Sequence, residues 1–362
     1  MTAPNLDRWL ERPLVPLLER LQLLGQAAAP QAWSGRYRAR SKGRSLEYAG
    51  FREYAPGDDP RTLDWQALAR LDRPYVREYQ AERERAVTLL VDGSASMVAG
   101  DKGDTALELA AALGYCALHH GDRLEVVLLE GPRALALGGG RGRAARHRLA
   151  VALAAAADRM AGQRAARFLQ SGRPAGDREG TRARTGQEVP GEPTAARAAG
   201  GGPPVTTALR AALQRWQAGP GGEQAHPGAP ARPAWGPPRR GSLAILISDL
   251  LDPGGIDSPA YCRQVAALLA AAGQGALIHL LDLDDRVPPP GEWTLVDAET
   301  GTTVEVTVDE SLLARYRQAV ARWAEGWRRA CHAQQVLYVA VPAPAPARTL
   351  IAGHLVPAGL LG

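Results

Sequence analysis

The sequence predicts an α/β fold: a doubly wound, mostly parallel sheet of Rossmann type with a small β-rich segment on its amino-terminal side. Three observations carry this. Residues 86–92, AVTLLVD, are a short run of apolar and β-branched residues, the pattern of a strand buried on both faces. Similar runs at 123–130 (RLEVVLLE), 242–249 (SLAILISD), 276–283 (ALIHLLDL) and 336–341 (VLYVAV) alternate with helical stretches, and strands alternating with helices form right-handed βαβ units. The chain has 362 residues, 45% of them hydrophobic and 22% charged, enough apolar material for a real core.

In chain order, residues 6–30 place Leu10, Leu14, Leu17, Leu18, Leu21 and Leu24 at helical spacing and predict an amphipathic helix. Residues 35–80 read as short strands around one helix (GRYRAR, SLEYAGFREY, TLDWQALARL, PYVREYQAER), with Asp58-Asp59-Pro60 as a helix-start signal. The sheet region follows. Its helices are expected at 105–120, 144–160, 206–216, 261–273 and about 310–334, with a short strand at 133–137. A hairpin is expected at 293–308, turning near Glu299-Thr300-Gly301, and a short helix closes the chain. The layout is therefore an amino-terminal helix (1–34), a β-rich segment (35–85), the α/β domain (86–342) and a carboxyl-terminal tail (343–362). Residues 162–203 and 218–241 are dense in Gly, Pro, Arg and Ala without apolar periodicity, and are expected to be flexible insertions.

Charge and composition remove several classes of function. Lys and Arg exceed Asp and Glu by 43 to 38. Residues 159–242 hold 13 Arg against 5 acids, so the remainder of the chain is net acidic. That excess lies in a Gly/Pro-rich stretch with few aromatics, not on a face with stacking platforms, which argues against nucleic acid as the partner. Lysine occurs only at positions 42 and 102. No apolar run is long enough to span a bilayer, and the first residues carry charges where a signal peptide needs an apolar stretch, so a cytoplasmic protein without membrane contact is expected. Cys116, Cys262 and Cys331 form no CxxC pair and are expected as small buried hydrophobes.

The sharpest motif is Asp92-Gly93-Ser94-Ala95-Ser96, at the carboxyl end of the first buried strand. In an open parallel sheet, ligands sit in the crevice beyond the strand carboxyl ends. A carboxylate there with hydroxyls two and four residues on can present three oxygens to one point, and hard divalent cations such as magnesium take oxygen ligands. Asp249 closes SLAILISD in the same position on its own strand and supplies a second carboxylate. The plainer reading of the motif is a turn whose hydroxyls cap the next helix.

This arrangement resembles the von Willebrand factor A-type domain and its metal-ion-dependent adhesion site. The resemblance implies a Mg2+ held by Asp92, Ser94, Ser96 and Asp249, with a partner's carboxylate completing the coordination. The family pattern also has Gly-Gly-Thr before a helix. Here Gly201-Gly202 is followed by Pro203-Pro204, and the hydroxyls arrive late, at Thr206 and Thr207. The preceding residues Arg52, Tyr54, Gly57, Asp58, Arg61, Asp64 and Trp65 resemble the signature of the domain of unknown function 58 (DUF58) family, in which such a stretch runs into a von Willebrand A-like domain. For these residues the plain reading is an internal ion-pair network with Trp65 as a packing wedge. The family's bacterial members are commonly encoded beside MoxR-type AAA+ ATPases, which implies such an ATPase, its client protein, or both, as partner.

Enzyme readings fare worse. There is no GxxxxGK[ST] loop and no GxSxG elbow. The place two residues after Asp92, where a haloacid-dehalogenase phosphatase needs a second Asp, holds Ser94. Gly140, Gly142 and Ala145 imitate a dinucleotide fingerprint, but not on the first βα turn. His119-His120 reads as a helix end. The expected function is thus a non-enzymatic binding adaptor, with no catalytic residues assigned. A magnesium-assisted hydrolase using the same acids, with Asp252 as a spare carboxylate, is one alternative. A scaffold whose metal site is vacant because of Pro203 is the other.

Overall fold

The computed structural model describes residues 6–24, 47–54, 63–65, 68, 70, 73–80, 85–99, 101–171, 204–217, 242–251, 258–281, 289–297 and 303–362. They divide into two compact units: residues 30–84, and residues 1–29 together with 85–362.

In the smaller unit, β1 (Glu47–Glu53) and β2 (Tyr75–Gln80) pair antiparallel, with an irregularity between Tyr48 and Gly50. Leu63 bridges to Val76, and Asp64 N–H donates to the Tyr75 carbonyl at 2.8 Å. Both Asp64 and Val76 are buried. Trp65 is 67% exposed. Tyr54 N–H donates to the Pro74 carbonyl, and Arg52 lies on β1. Gly57, Asp58 and Arg61 lie outside the described residues, as does the GRYRAR stretch.

The larger unit is built on a six-stranded sheet: β3 (Ala86–Asp92), β4 (Arg123–Glu130), β5 (Arg133–Gly140), β6 (Leu243–Ser248), β7 (Gln274–Leu281) and β10 (Leu337–Pro342). A separate antiparallel hairpin joins β8 (Gly291–Val296) and β9 (Thr303–Val308). The spatial order in the sheet is β10-β7-β6-β3-β4-β5, parallel throughout except that β5 runs antiparallel to β4 at the edge. Thus the described region is α/β with a mostly parallel sheet.

Side chains alternate across a strand with a period of two, and β3 shows the consequence. Val87, Leu89 and Val91 enter one core, together with α3 (Lys102–His119), α4 (Arg143–Ser171) and the chain ends. Leu90 enters the other, with residues of α5 (Pro204–Gln217), α6 (Pro259–Ala271) and α7 (Glu310–Ala333). Connections out of β3 and β6 thus lead to helices on opposite faces, and strand order reverses between them. That reversal opens the crevice in which open α/β sheets hold ligands.

Several boundaries differ from expectation. The amino-terminal helix is short: 3-10 turns at Leu6–Arg8 and Arg12–Leu14 lead into α1 (Val15–Arg20), and the chain is extended at Leu23. Pro13 and Pro16 break the long pattern, because proline is accommodated only near a helix start. Leu10, Leu14 and Leu18 are nevertheless buried. This segment is anchored by Arg85, which donates to the Leu23 carbonyl at 2.6 Å and pairs with Asp122 at 2.5 Å. The helix expected to end near 160 continues as α4 to Ser171, since QRAARFLQS is built of good helix formers. Residues 172–203 and 218–241 lie outside the described residues. A short helix, α8 (Ala347–Leu350), precedes a π-turn at Ile351–Leu355. All three cysteines are free and buried, as expected. Among the described residues no helix is long and apolar enough to cross a membrane.

Candidate functional site

Register sets the site. Val91 pairs with Ile247 and Ser248 with His279, so Asp92, Ser248 and His279 form a polar row across the ends of β3, β6 and β7. All three are essentially inaccessible to solvent. Polar groups so placed must find partners. Ser248 Oγ donates to Asp92 Oδ2 at 2.5 Å and accepts from Leu250 N–H at 2.8 Å. Asp92 Oδ1 accepts from Ser94 N–H at 2.8 Å, turning the loop back over the strand end. Gly93 makes that turn feasible, because a Cβ there would lie 2.9 Å from Leu128 Cδ1 and 3.3 Å from the Leu129 carbonyl oxygen.

The short helix α2 (Ala95–Ala99) carries Ser96 on its first turn. Ser94 Oγ lies 3.1 Å from Ser96 Oγ, and Ser96 Oγ donates to Asp249 Oδ1 at 3.1 Å. Asp249 Oδ1 also accepts from Leu251 N–H at 3.2 Å. The other carboxylate oxygen, Oδ2, is held by Lys102 Nζ at 2.5 Å. Both ends of this ion pair are buried, with side-chain exposures of 8% and 1%. Two residues beside it have left-handed backbones: Asp101 (φ 46°), preceding Lys102, and Leu250 (φ 57°), following Asp249. Such φ values are costly for non-glycine residues and concentrate at functional sites.

Beneath Asp249 sits His279. A carbonyl can only accept, so His279 Nε2–H donates to the Asp249 carbonyl at 3.2 Å, leaving Nδ1 to accept from the Tyr338 hydroxyl at 2.8 Å. Complete burial disfavours the imidazolium and pulls its pKa down to about 3, outweighing the Asp249 carbonyl, which favours the charged ring. The ring is therefore a neutral structural strut, packed edge-on against Trp323 with centroids 4.6 Å apart.

The structure thus brings together four of the residues singled out from sequence: Asp92, Ser94, Ser96 and Asp249. Thr206 is buried and Thr207 half-buried on the first turn of α5, while Gly201–Pro203 and Asp252 lie outside the described residues. Sequence reasoning missed Lys102, Ser248 and His279. The signal for Lys102 was its rarity, being one of two lysines among 43 basic residues.

The donor set has the character a hard divalent cation takes. Octahedral ligands at about 2.0–2.1 Å lie about 3 Å from their neighbours, and Ser94 Oγ, Ser96 Oγ and Asp249 Oδ1 follow one another at 3.1 Å. Among the described residues no three His, Cys, Asp or Glu side chains gather as metal ligands, so hydroxyls and water would have to complete such a shell. Asp92 and Asp249 against Lys102 leave the cluster one unit negative.

A family profile described as a protein of unknown function, DUF58, matches residues 50–325, about three quarters of the chain. The chain belongs to the DUF58 family. Similar proteins include uncharacterized proteins of Mycobacterium bovis and Mycobacterium tuberculosis, each 28% identical over 275 residues, covering 75% of this chain and 66% of the relative. The chain therefore spans slightly less than two thirds of those relatives' length. An uncharacterized protein of Mycobacterium avium is 36% identical over 86 residues, 24% of this chain and 47% of that protein. No solved structure matches.

Proposed function

We propose that this DUF58 chain is a non-enzymatic protein-binding adaptor of von Willebrand A type, whose contact point is the crevice at Ser94, Ser96 and Asp249. The observation that carries this reading is the run of three oxygens at 3.1 Å intervals where the strand order reverses. Magnesium bound there would supply a directional, chelator-reversible seat for a partner's carboxylate. The chain's own residues do the rest. Asp92 fixes the loop through Ser94 N–H and Ser248, Ser94 and Ser96 present hydroxyls at a partly exposed surface, and Asp249 contributes the carboxylate. Thr206 or Thr207 remains the candidate for a further hydroxyl. A protein of the MoxR-type AAA+ class, or its client, is the proposed partner, from the family resemblance.

The reading is tested by immobilising the purified chain and presenting a purified MoxR-type ATPase in magnesium and in chelator. Magnesium-dependent retention that Ser96→Ala abolishes without changing the circular dichroism spectrum is the expected result. Equal retention in both conditions would remove the metal from the reading, and no retention in either would remove the partner.

A further inference from the structure

We propose that Lys102 is the resident cation of the crevice and sets how tightly a divalent ion is held there, so that ion and partner bind together and not one after the other. The inference rests on the metal-site reading above. Three local preferences are overridden to put this ammonium where it is. Lys102 is buried, although lysine is almost never fully buried unless paired. It is the first residue of α3, an 18-residue helix, at the end where the backbone dipole disfavours a cation. Asp101 before it is held in a left-handed conformation. Such conflicts between local preference and structure concentrate where a site requires them. The ammonium is compensated by Asp249 Oδ2, at 2.5 Å.

The residue type fits that task. Elsewhere this chain meets its need for positive charge almost wholly with arginine; only Lys42 and Lys102 depart from it. A guanidinium is a planar fork that grips both oxygens of a carboxylate, whereas an ammonium is a compact point charge. Lys102 takes Oδ2 of Asp249 and leaves Oδ1 turned to Ser96. The carboxylate is thereby divided between an internal cation at Oδ2 and, at Oδ1, the Ser96 hydroxyl and the Leu251 N–H.

A divalent ion entering beside the partly exposed Ser94 and Ser96 meets a cluster one unit less negative than its two carboxylates alone would provide. In a water-poor crevice a single nearby positive charge weakens cation binding severely. The ion alone is therefore held weakly, and a partner's carboxylate supplies the negative charge that Lys102 has cancelled. Neutralising Lys102 converts a site that needs both ligands into one that keeps the ion by itself.

The test is calorimetric titration of Mg2+ and Mn2+ into the purified full chain, its Lys102→Gln variant and its Lys102→Arg variant. Lys102→Gln is expected to bind at least about tenfold more tightly than the parent, and Lys102→Arg more weakly than the parent, because its fork takes both Asp249 oxygens. Equal or weaker binding by a folded Lys102→Gln overturns the role of Lys102 while leaving the metal site standing. Absence of binding by parent and variants alike at millimolar metal overturns the metal site itself, and the inference with it. Should Lys102→Gln not fold, the parent chain reports directly. With Lys42→Arg in place, Lys102 is the sole lysine, and its 15N ammonium resonance is expected to move along the metal-binding isotherm. A resonance unchanged at metal saturation overturns the inference.

Discussion

Lys102 Nζ and Asp249 Oδ2 lie 2.5 Å apart in the interior although 147 positions separate the two residues. The pair links the start of α3 to the end of β6, and neither member has water to fall back on. Breaking a buried pair from one side strands a charge, which costs about 3–5 kcal/mol. Asp249→Asn is therefore expected to lower the urea midpoint sharply. The double variant Lys102→Met/Asp249→Leu is expected to recover much of that loss, because a packed apolar pair strands nothing. A double variant as unstable as the single one would show that the ion pair is not the source of the loss.

His279 gives the chain a pH dependence of known sign. Its folded-state pKa lies at about 3, below the ordinary value of 6.5. Between those values the unfolded chain binds a proton that the folded chain refuses. The stabilisation is present in full above about pH 6.5 and is lost as pH falls towards 3, at about 1.4 kcal/mol per pH unit for one proton. Urea unfolding in chelator across that window is expected to show this slope, and His279→Gln to flatten it. A parent profile as flat as the variant's would contradict a buried neutral imidazole.

The thiols make a reactivity prediction. Burial pushes Cys116 and Cys331 up to about 12 and raises Cys262 as well, so at pH 8 none is a thiolate. Cys116 also donates its S–H to the Leu21 carbonyl at 2.8 Å. Ellman's reagent is expected to label the native chain no faster than it unfolds, and all three sites at once in denaturant. Rapid native labelling of Cys116 in particular would mean that residues 6–24 detach from α3.

The strands were legible in the sequence because a buried parallel strand is a short apolar run, and AVTLLVD and LAILIS have no competing periodicity. Asp92 and Asp249 were legible for the same reason, as the first charged residues where such runs stop. Lys102 was not, because its position depends on a left-handed Asp101 and on a partner in another strand, neither of which has a local pattern. Ser248 and His279 looked like ordinary strand residues; only the register of three strands aligns them with Asp92. The antiparallel direction of β5 was not read from the sequence, although the two-residue connection after Glu130 is too short for a parallel crossover. The long amino-terminal helix that leucine spacing predicts is cut short because Pro13 and Pro16 fit only near a helix start.

The reversal of strand order between β3 and β6 has a mechanical side. Ser96 belongs to α2, which leads to the helical layer on one face of the sheet, and the chain beyond Asp249 leads to the layer on the other. Any ligand that grips both residues acts as a rivet through the two layers. Occupancy of so small a crevice is then felt as slower opening of the entire α/β unit, with amide exchange retarded in α3 and α6 alike, far from the atoms that make contact.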